Sequence, residues 1–307
     1  MNKMKKSVIV AMLAALCAAA WAISPEELLI QAVKNCDIPT LQILLRQRAD
    51  PNYMDANGKS ALVYACEKGW YEGVICLVGG DANIDSRDIH DRTALMYAVQ
   101  SGYIMIVQFL INNGANINAK DFDRKAALMY AIENKDTQVM NLLLRLGADC
   151  SATDIYGDNI AMYAAKNGMI CTLNEGALQK KYVIDWNKTN KEGLSPFTVA
   201  CMKGDFIGIK QLLQEAPIEI SASHIDGQPI IIWLIANRKS SAIIEYLVNF
   251  CNPEEIRSMT DVEGHDIKYW AEKQGYENIL MRLYDYEIEE KGSRRNRAYS
   301  KSIRRNF

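Results

Sequence analysis

The sequence predicts an all-α repeat solenoid, in which short helix-turn-helix units stack and β-hairpin loops project from one edge. Three near-copies of one phrase support this prediction: RTALMYAVQSG from Arg92, KAALMYAIENK from Lys125 and DNIAMYAAKNG from Asp158. Their constant spacing and the apolar pattern of two short helices in each copy are typical of a repeat array. A single unit cannot bury both of its helices, so neighbouring units must supply the core.

A column of mostly alanine residues indexes the units. Its members are Ala32, Ala65, Ala98, Ala131, Ala164, Ala200, Leu234 and Ala271. The steps are 33 residues as far as Ala164 and then 36, 34 and 37 residues. We therefore predict about eight units over residues 23–286, with first helices that pack closely because the residue between them is small.

The unit around Ala98 shows how its elements follow from its residues. Thr93 begins a helix that Gly102 ends, and the apolar residues 104–111 predict a second helix with a broad apolar face. Gly114 supplies the left-handed residue that ends this second helix. Three aspartates stand where they would cap the second helices of other units: Asp37, Asp136 and Asp205.

These motifs resemble the ankyrin repeat family, whose pattern is roughly D-x-x-G-x-T-P-L-H-x-A-A followed by E-I-V-x-L-L-L-x-x-G-A-D-V-N. The segments GKSALVYACEKGW, DRTALMYAVQSGY and LSPFTVACMKGDF carry the first half, and LLRQRADPN, LINNGANIN and LLRLGADCS carry the second. The resemblance covers residues 25 to about 286. It implies a curved stack of units with projecting hairpin tips and a concave face formed by the first helices.

Two columns depart from the family pattern. The histidine of T-P-L-H is replaced by Val63, Met96, Met129, Met162, Thr198, Ile232 and Tyr269, so the junction between hairpin and helix must be held in another way. The next column is mostly aromatic: Tyr64, Tyr97, Tyr130, Tyr163, Val199, Trp233 and Trp270. We favour an internal stacking ladder for it, and a ligand-binding surface is the alternative.

The fifth unit fits the pattern worst. Its segment MICTLNEGALQKKYVIDWNK has three extra residues and places Gly176 near the middle of the expected second helix. We expect a distorted helix or a bulge there. It is either a tolerated insertion or an added contact surface.

Residues 1–22 predict a secretory signal peptide. Three lysines precede an apolar run that ends in Ala20-Trp21-Ala22, a small-residue cleavage site. We expect a bacterial protein exported across the inner membrane, to the periplasm or secreted. A lipoprotein that uses Cys17 and an uncleaved anchor are the alternatives. After the predicted cleavage site, the sequence indicates a capped first helix, with Ser24 as the cap, Pro25 at the first helical position and Glu27 completing a capping box.

Seven cysteines remain after the signal peptide: Cys36, Cys66, Cys76, Cys150, Cys171, Cys201 and Cys251. This number is odd, so at least one must stay unpaired. Cys66 and Cys201 fall at equivalent helical positions, and we interpret the cysteines as buried thiols that act as small apolar side chains.

The sequence carries no recognisable set of catalytic or metal-binding residues. The three histidines, His90, His224 and His265, fall in or beside hairpins of different units, at no metal-ligand spacing. A catalytic Cys–His pair would not need adjacent residues, but the cysteines occupy core positions. We therefore expect no enzyme activity, no cofactor and no metal. Carboxylates recur at the hairpins, at Asp55, Asp88, Asp121, Asp154 and Asp261, and we interpret them as turn-forming residues and not as a cation site.

The column beside these carboxylates is mostly apolar and contains the candidate partner-binding residues. They are Ile89, Phe122, Ile155, Ile225 and Val262 at the hairpin tips, with a basic rim of Arg87, Arg92, Lys120, Arg124 and Lys125. An apolar centre with charged edges is the usual layout of an interface. The alternative is that neighbouring tips pack on one another and hide these side chains.

Residues 287–307 form a charged tail with a basic end. Its last 17 residues contain seven lysines and arginines and no acid. Without these and the three lysines of the signal peptide, 25 basic residues face 37 acidic ones, a formal charge of −12. The tail could stay disordered, fold onto the acidic body or bind an anionic envelope surface; nucleic acid is not expected.

The leading functional hypothesis is an exported, non-enzymatic, monomeric scaffold. It would bind a protein partner through the hairpin tips and the concave face, centred on the second to fourth units. An envelope-associated tethering protein that uses the basic tail is the first alternative. An inhibitor or chaperone of a partner enzyme is the second.

Overall fold

The computed structural model describes residues 24–178, 184–215 and 217–284. The chain divides into two compact parts between Glu192 and Gly193, which we call the first unit and the second unit. Each of them contains several of the repeats that the sequence predicts. The predicted signal peptide, residues 1–22, and the tail, residues 287–307, lie outside the described residues.

The first unit is built from five pairs of short antiparallel helices. In chain order these are α1 (Pro25–Lys34), α2 (Ile38–Arg46), α3 (Ala61–Lys68), α4 (Tyr71–Gly79), α5 (Ala94–Gln100), α6 (Ile104–Asn112), α7 (Ala127–Glu133), α8 (Thr137–Arg145), α9 (Ile160–Asn167) and α10 (Ile170–Leu178). The first helices α1, α3, α5, α7 and α9 pack on one another in sequence.

The second unit continues with helical pairs and adds one short ribbon. Its elements are α11 (Pro196–Lys203), α12 (Phe206–Glu215), β1 (His224–Ile225), β2 (Gln228–Pro229), α13 (Ile230–Ala236), α14 (Ser241–Phe250), α15 (Pro253–Arg257), α16 (Ile267–Gln274) and α17 (Glu277–Tyr284). The ribbon is antiparallel and pairs His224 with Pro229 and Ile225 with Gln228. Over the described ranges the chain forms seventeen helices and one ribbon of two two-residue strands. This content confirms the predicted all-α repeat solenoid.

The core of the first unit lies between successive first helices, as the alanine column predicts. Ala65, Ala98, Ala131 and Ala164 are completely buried. A larger side chain at these positions would force neighbouring helices apart, and overpacking of this kind costs about 1–3 kcal/mol. The repeated small residue therefore sets the distance between units.

The helix ends use the capping residues that the sequence indicates. Ser24 accepts a 3.1 Å hydrogen bond from the backbone N–H of Glu27, and its own N–H donates to the Glu27 carboxylate. Asp37, Asp136 and Asp205 accept hydrogen bonds from backbone N–H groups in the first turns of α2, α8 and α12. These bonds satisfy donors that a helix start leaves without a partner.

The fifth repeat, which contains helices α9 and α10, is more regular than its sequence suggests. Helix α10 has nine residues, as do α6 and α8, and contains Gly176 without a break. A Cβ on Gly176 would lie 2.6 Å from Asn141 Oδ1 of the neighbouring helix α8, so the glycine allows close packing. The expected distortion is therefore absent as far as residue 178, and part of the insertion, residues 179–183, lies outside the described residues.

Three of the cysteines are buried: Cys66, Cys150 and Cys201. Cys66 and Cys201 are completely buried, and burial raises the pKa of both thiols. They pack as small apolar side chains, as predicted. The prediction of buried thiols is wrong for four others, because Cys36 is exposed and Cys76, Cys171 and Cys251 are only half-buried. No helix in the described ranges combines the length and the apolar character needed to span a membrane.

Candidate binding face

The hairpin before each first helix is organised by its aspartate. Asp88 Oδ1 accepts hydrogen bonds from the backbone N–H groups of His90 at 2.8 Å and Arg92 at 2.9 Å. Asp55, Asp154 and Asp261 each accept two backbone bonds in the same way, and Asp121 accepts one from Lys125. The turn-forming interpretation of this column is confirmed.

The second oxygen of each aspartate binds the aromatic residue nine positions later. Tyr97 donates a 2.6 Å hydrogen bond from its hydroxyl to Asp88 Oδ2. The same bond joins Tyr64 to Asp55, Tyr130 to Asp121 and Tyr163 to Asp154, and in the second unit Trp270 Nε1 donates to Asp261. These bonds hold the junction between hairpin and first helix, where this sequence lacks the family's histidine.

Cations separate the tyrosine rings of the first unit. Lys59 Nζ lies 5.5 Å from the ring centre of Tyr64 and 4.5 Å from that of Tyr97. Arg92 bridges Tyr97 and Tyr130 at 5.9 and 5.2 Å in the same manner. We call the whole alternating set the cation–tyrosine ladder: Lys34, Tyr64, Lys59, Tyr97, Arg92, Tyr130, Lys125 and Tyr163. Tyr97, Tyr130 and Tyr163 are buried, as expected of an internal column, whereas Tyr64, Trp233 and Trp270 are half-buried. The tyrosine rings do not stack directly, because cations lie between them.

Two ladder cations are paired with a carboxylate eight residues further along the chain. Lys59 binds Glu67 at 2.9 Å, and Lys125 binds Glu133 at 2.8 Å. The equivalent partner of Arg92 is Gln100, a neutral residue whose Oε1 lies 3.3 Å from the Arg92 Nη1. The sequence interpretation missed this arrangement, although the 33-residue recurrence of Lys59, Arg92 and Lys125 was a readable signal.

Burial and the neighbouring carboxylates keep the ladder tyrosines protonated. Burial, and then the bond to Asp55, raise the pKa of Tyr64 to about 12. The same two causes raise the pKa values of Tyr97, Tyr130 and Tyr163 further. Burial alone would lower the pKa of Arg92, but its interactions with Tyr130, Tyr97 and Asp121 raise it. Arg92 therefore keeps its charge.

The apolar tip residues have different exposures. Ile89 is 64% exposed, Phe122 75% and Val262 71%, whereas Ile155 is half-buried. Ile225 is only 2% exposed, because it lies in strand β1, which packs on helix α13. Its predicted place at an exposed tip is therefore wrong. In the first unit Ile89 and Phe122 remain as neighbouring apolar side chains in solvent.

Backbone hydrogen bonds join successive tips in the first unit. The N–H of Phe122 donates to the carbonyl oxygen of His90, and the N–H of Ile155 donates to that of Asp123, both at 2.9 Å. The tips are thus linked through their main chains, which leaves the side chains of Ile89 and Phe122 projecting. This arrangement gives the exposed side chains a rigid support.

The predicted basic rim divides into two groups. Arg87 donates a 2.7 Å hydrogen bond to the carbonyl oxygen of Lys120 on the next hairpin, and Arg124 is exposed beside the tip at Phe122. Arg92 and Lys125 are not rim residues, because they lie in the cation–tyrosine ladder. Of the five predicted rim residues, Arg87 and Arg124 therefore stay beside the tips, and Lys120 contributes a backbone carbonyl there.

A solvent-open cleft of about 600 Å³ lies between two hairpins of the first unit. Lys59, Arg92 and Tyr97 of the ladder line it, together with Gln100 and the tip residue Ile89. The cleft thus joins the exposed tips to the charged face of the first helices. It is shallow and its lining is mostly polar and charged, unlike the enclosed apolar pockets that bind small molecules.

One group of side chains in the second unit has the composition of a metal site. Ligand atoms of Asp261, Glu263 and His265 lie within 4.8 Å of one another. Both Asp261 oxygens already accept protein hydrogen bonds, from two backbone N–H groups and from Trp270 Nε1, and His265 stacks on Tyr269 at 4.0 Å. These bonds account for the cluster as part of the hairpin, and it is a poor metal site.

Comparison with known proteins agrees with the repeat pattern. A family model described as ankyrin repeats (3 copies) matches residues 29–121 and again residues 128–224. No curated protein matches the chain.

Proposed function

Because the chain belongs to the ankyrin repeat family, whose repeats generally bind proteins, we propose that it is an exported, non-enzymatic scaffold that binds a protein partner. Binding would use the hairpin tips at Ile89 and Phe122 and the cleft beside them. Export is supported by the signal-peptide pattern of residues 1–22.

The observation that carries this proposal is the exposure of two adjacent apolar tips on a rigid support. Ile89 and Phe122 project from hairpins that a 2.9 Å backbone hydrogen bond joins. Exposed apolar side chains in contact with charged neighbours mark interaction sites, and large aromatic residues contribute much of the binding energy at interfaces. The Asp88–Tyr97 bond fixes the hairpin, so little ordering is needed when a partner binds.

Photo-crosslinking tests the proposal in the native cells. A photoreactive residue at position 122 should yield one dominant adduct, which mass spectrometry identifies. Ile89→Ser in the same chain should reduce the adduct, because the two side chains belong to one surface. The same reactive residue at Met105, which is 65% exposed on helix α6, should not give that adduct. Equal adducts at both positions would reject the tips as the binding surface.

Stability measurements separate binding from folding. Phe122→Ser should change the free energy of unfolding by less than about 0.5 kcal/mol, since the side chain is exposed. It should weaken binding of the identified partner at least tenfold. A large loss of stability with intact binding would mean that Phe122 is a structural residue.

A second candidate function is tethering to an anionic envelope surface through the tail. It is favoured by seven basic residues and no acidic one in residues 291–307. Deleting these residues should release the protein from envelope fractions while leaving the Phe122 adduct unchanged. Unaltered localisation after the deletion would reject tethering.

A further inference from the structure

We propose that the cleft beside Arg92 binds a carboxylate side chain from an acidic segment of the protein partner, and that Arg92 is the residue that selects it. The inference rests on the proposed function and adds the chemistry of the partner. We define the Arg92 cleft by Lys59, Arg92, Tyr97, Gln100 and Ile89, which line it together with the carboxylates of Glu67 and Asp88. Glu67 is paired with Lys59, and Asp88 accepts bonds from two backbone N–H groups and from Tyr97.

The repeat pattern of paired cations is broken at Arg92. In the repeats on either side of the one that contains Arg92, the ladder cation pairs with a glutamate eight residues later. Lys59 pairs with Glu67, and Lys125 pairs with Glu133. At the equivalent place Arg92 faces Gln100. Within the described ranges, no carboxylate oxygen lies within 4.0 Å of the Arg92 guanidinium. The charge of Arg92, at the wall of a cleft, therefore lacks the carboxylate partner that Lys59 and Lys125 have.

Asp121 attracts the Arg92 charge, but neither Asp88 nor Asp121 forms an ion pair with it. Asp88 uses one oxygen for two backbone N–H groups and the other for Tyr97. Asp121 is likewise bound by the N–H of Lys125 and the hydroxyl of Tyr130. Both aspartates hold their own hairpins. Gln100 accepts one long bond, so the guanidinium keeps donors for a ligand in the cleft.

The geometry of arginine favours a carboxylate as that ligand. A guanidinium presents N–H groups in a planar fork that matches the two oxygens of a carboxylate. Arg92 is partly buried between the rings of Tyr97 and Tyr130, so its orientation is restricted before a partner arrives and screening by solvent is reduced. The exposed Ile89 on the same wall suits an apolar residue next to the acidic one.

Charge elsewhere in the chain makes this position selective. Residues 23–290 carry a formal charge of −12, so acidic side chains are repelled from most of the surface and attracted at Arg92. Because the proposed function is the binding of a protein partner, the occupant that we infer is an acidic segment of another protein.

The test places a carboxylate beside Arg92 within the protein itself. Gln100→Glu should recreate the pair that Lys59 and Lys125 make, and it replaces a single heavy atom, the amide nitrogen, of an exposed side chain. Gln138→Glu, on an exposed residue of helix α8, adds the same charge away from the cleft and serves as the matched control. Thermal melts should show that both variants fold like the original protein.

The probe is a phage-displayed library of random peptides selected on the mature protein. We expect the selected peptides to be enriched in Asp and Glu. Their affinity should fall about tenfold with Gln100→Glu and remain unchanged with Gln138→Glu. Arg92→Lys, which keeps the charge but loses the fork, should give an intermediate loss. Acid-free peptides, or acidic peptides that bind Gln100→Glu as tightly, would overturn the inference.

A further variant separates this inference from the proposed function. If acid-free peptides are selected and Phe122→Ser still abolishes their binding, the tips bind partners and the role of Arg92 is wrong. If Phe122→Ser has no effect while Gln100→Glu weakens binding, the cleft binds carboxylates without the tips. A library that yields no binders counts against both proposals.

Discussion

Tyr97 donates its hydroxyl hydrogen to Asp88 Oδ2 over 2.6 Å and so joins helix α5 to the hairpin that precedes it. The same residue Asp88 organises the hairpin through two backbone bonds, so one carboxylate fixes both the turn and its angle to the helix. This pair recurs in four successive units of the described chain. The hairpin tips that we propose as binding residues are therefore positioned by buried polar bonds below them.

Removing the hydroxyl tests the importance of this bond. Tyr97→Phe leaves a buried carboxylate oxygen without its side-chain donor, and we expect the free energy of unfolding to fall by about 1–3 kcal/mol. Chemical denaturation monitored by circular dichroism measures the change. Tyr156→Phe, on an exposed ring of a neighbouring hairpin, should have almost no effect. Equal small changes in both variants would show that the bond contributes little.

The raised tyrosine pKa values predict sensitivity to alkali. The pKa of Tyr64 is about 12 in the folded protein and near 10 when unfolded, so the unfolded state loses its proton first as pH rises. The stabilisation from Tyr64 is complete below about pH 10 and is lost as pH rises towards about 12. Tyr97, Tyr130 and Tyr163 act in the same direction.

An alkaline titration followed by tyrosinate absorbance checks this expectation. The ladder tyrosines should ionise only together with a fall in circular dichroism. Ionisation of every tyrosine near pH 10 in a protein that keeps its helices would contradict the buried ladder.

Local interactions were the part of this fold that the sequence could predict. Caps such as Asp136 and turn residues such as Asp88 bond to backbone groups two or three residues away. Their positions in the sequence are therefore enough to predict these bonds. The direction of a long side chain across a unit boundary is not fixed by spacing. Arg92 and Lys125 were consequently placed at the tips, whereas their guanidinium and ammonium groups lie between tyrosine rings.

The candidate site was predictable only in part for a related reason. Exposure of a tip depends on what packs against it, and the sequence places Phe122 and Ile225 in one column. The structure separates them, because Ile225 belongs to a ribbon that packs on helix α13. The charge surplus at Arg92 also becomes meaningful only when the Lys59–Glu67 pair is seen in three dimensions.

The backbone at Arg124 allows a final prediction. Arg124 has φ +61° at a hairpin position where Gly157 has φ +84° in the next unit. A residue with a Cβ in this left-handed region costs roughly 1–2 kcal/mol, whereas glycine adopts it freely. Arg124→Gly should therefore stabilise the protein by about 0.5–1 kcal/mol, with the greater freedom of glycine in the unfolded chain offsetting part of the gain.

The reverse substitution is its control. Gly157→Ala should destabilise the protein by about 1 kcal/mol or more, because it adds the same strain and brings a Cβ to 3.2 Å from the backbone nitrogen of Lys191. A strained, exposed arginine next to Phe122 is consistent with a role in binding. Arg124→Gly should accordingly raise the melting temperature and lower the yield of the Phe122 crosslink. A variant that is more stable and crosslinks equally well would remove Arg124 from the interface, and one that is less stable would show that its side chain supports the hairpin.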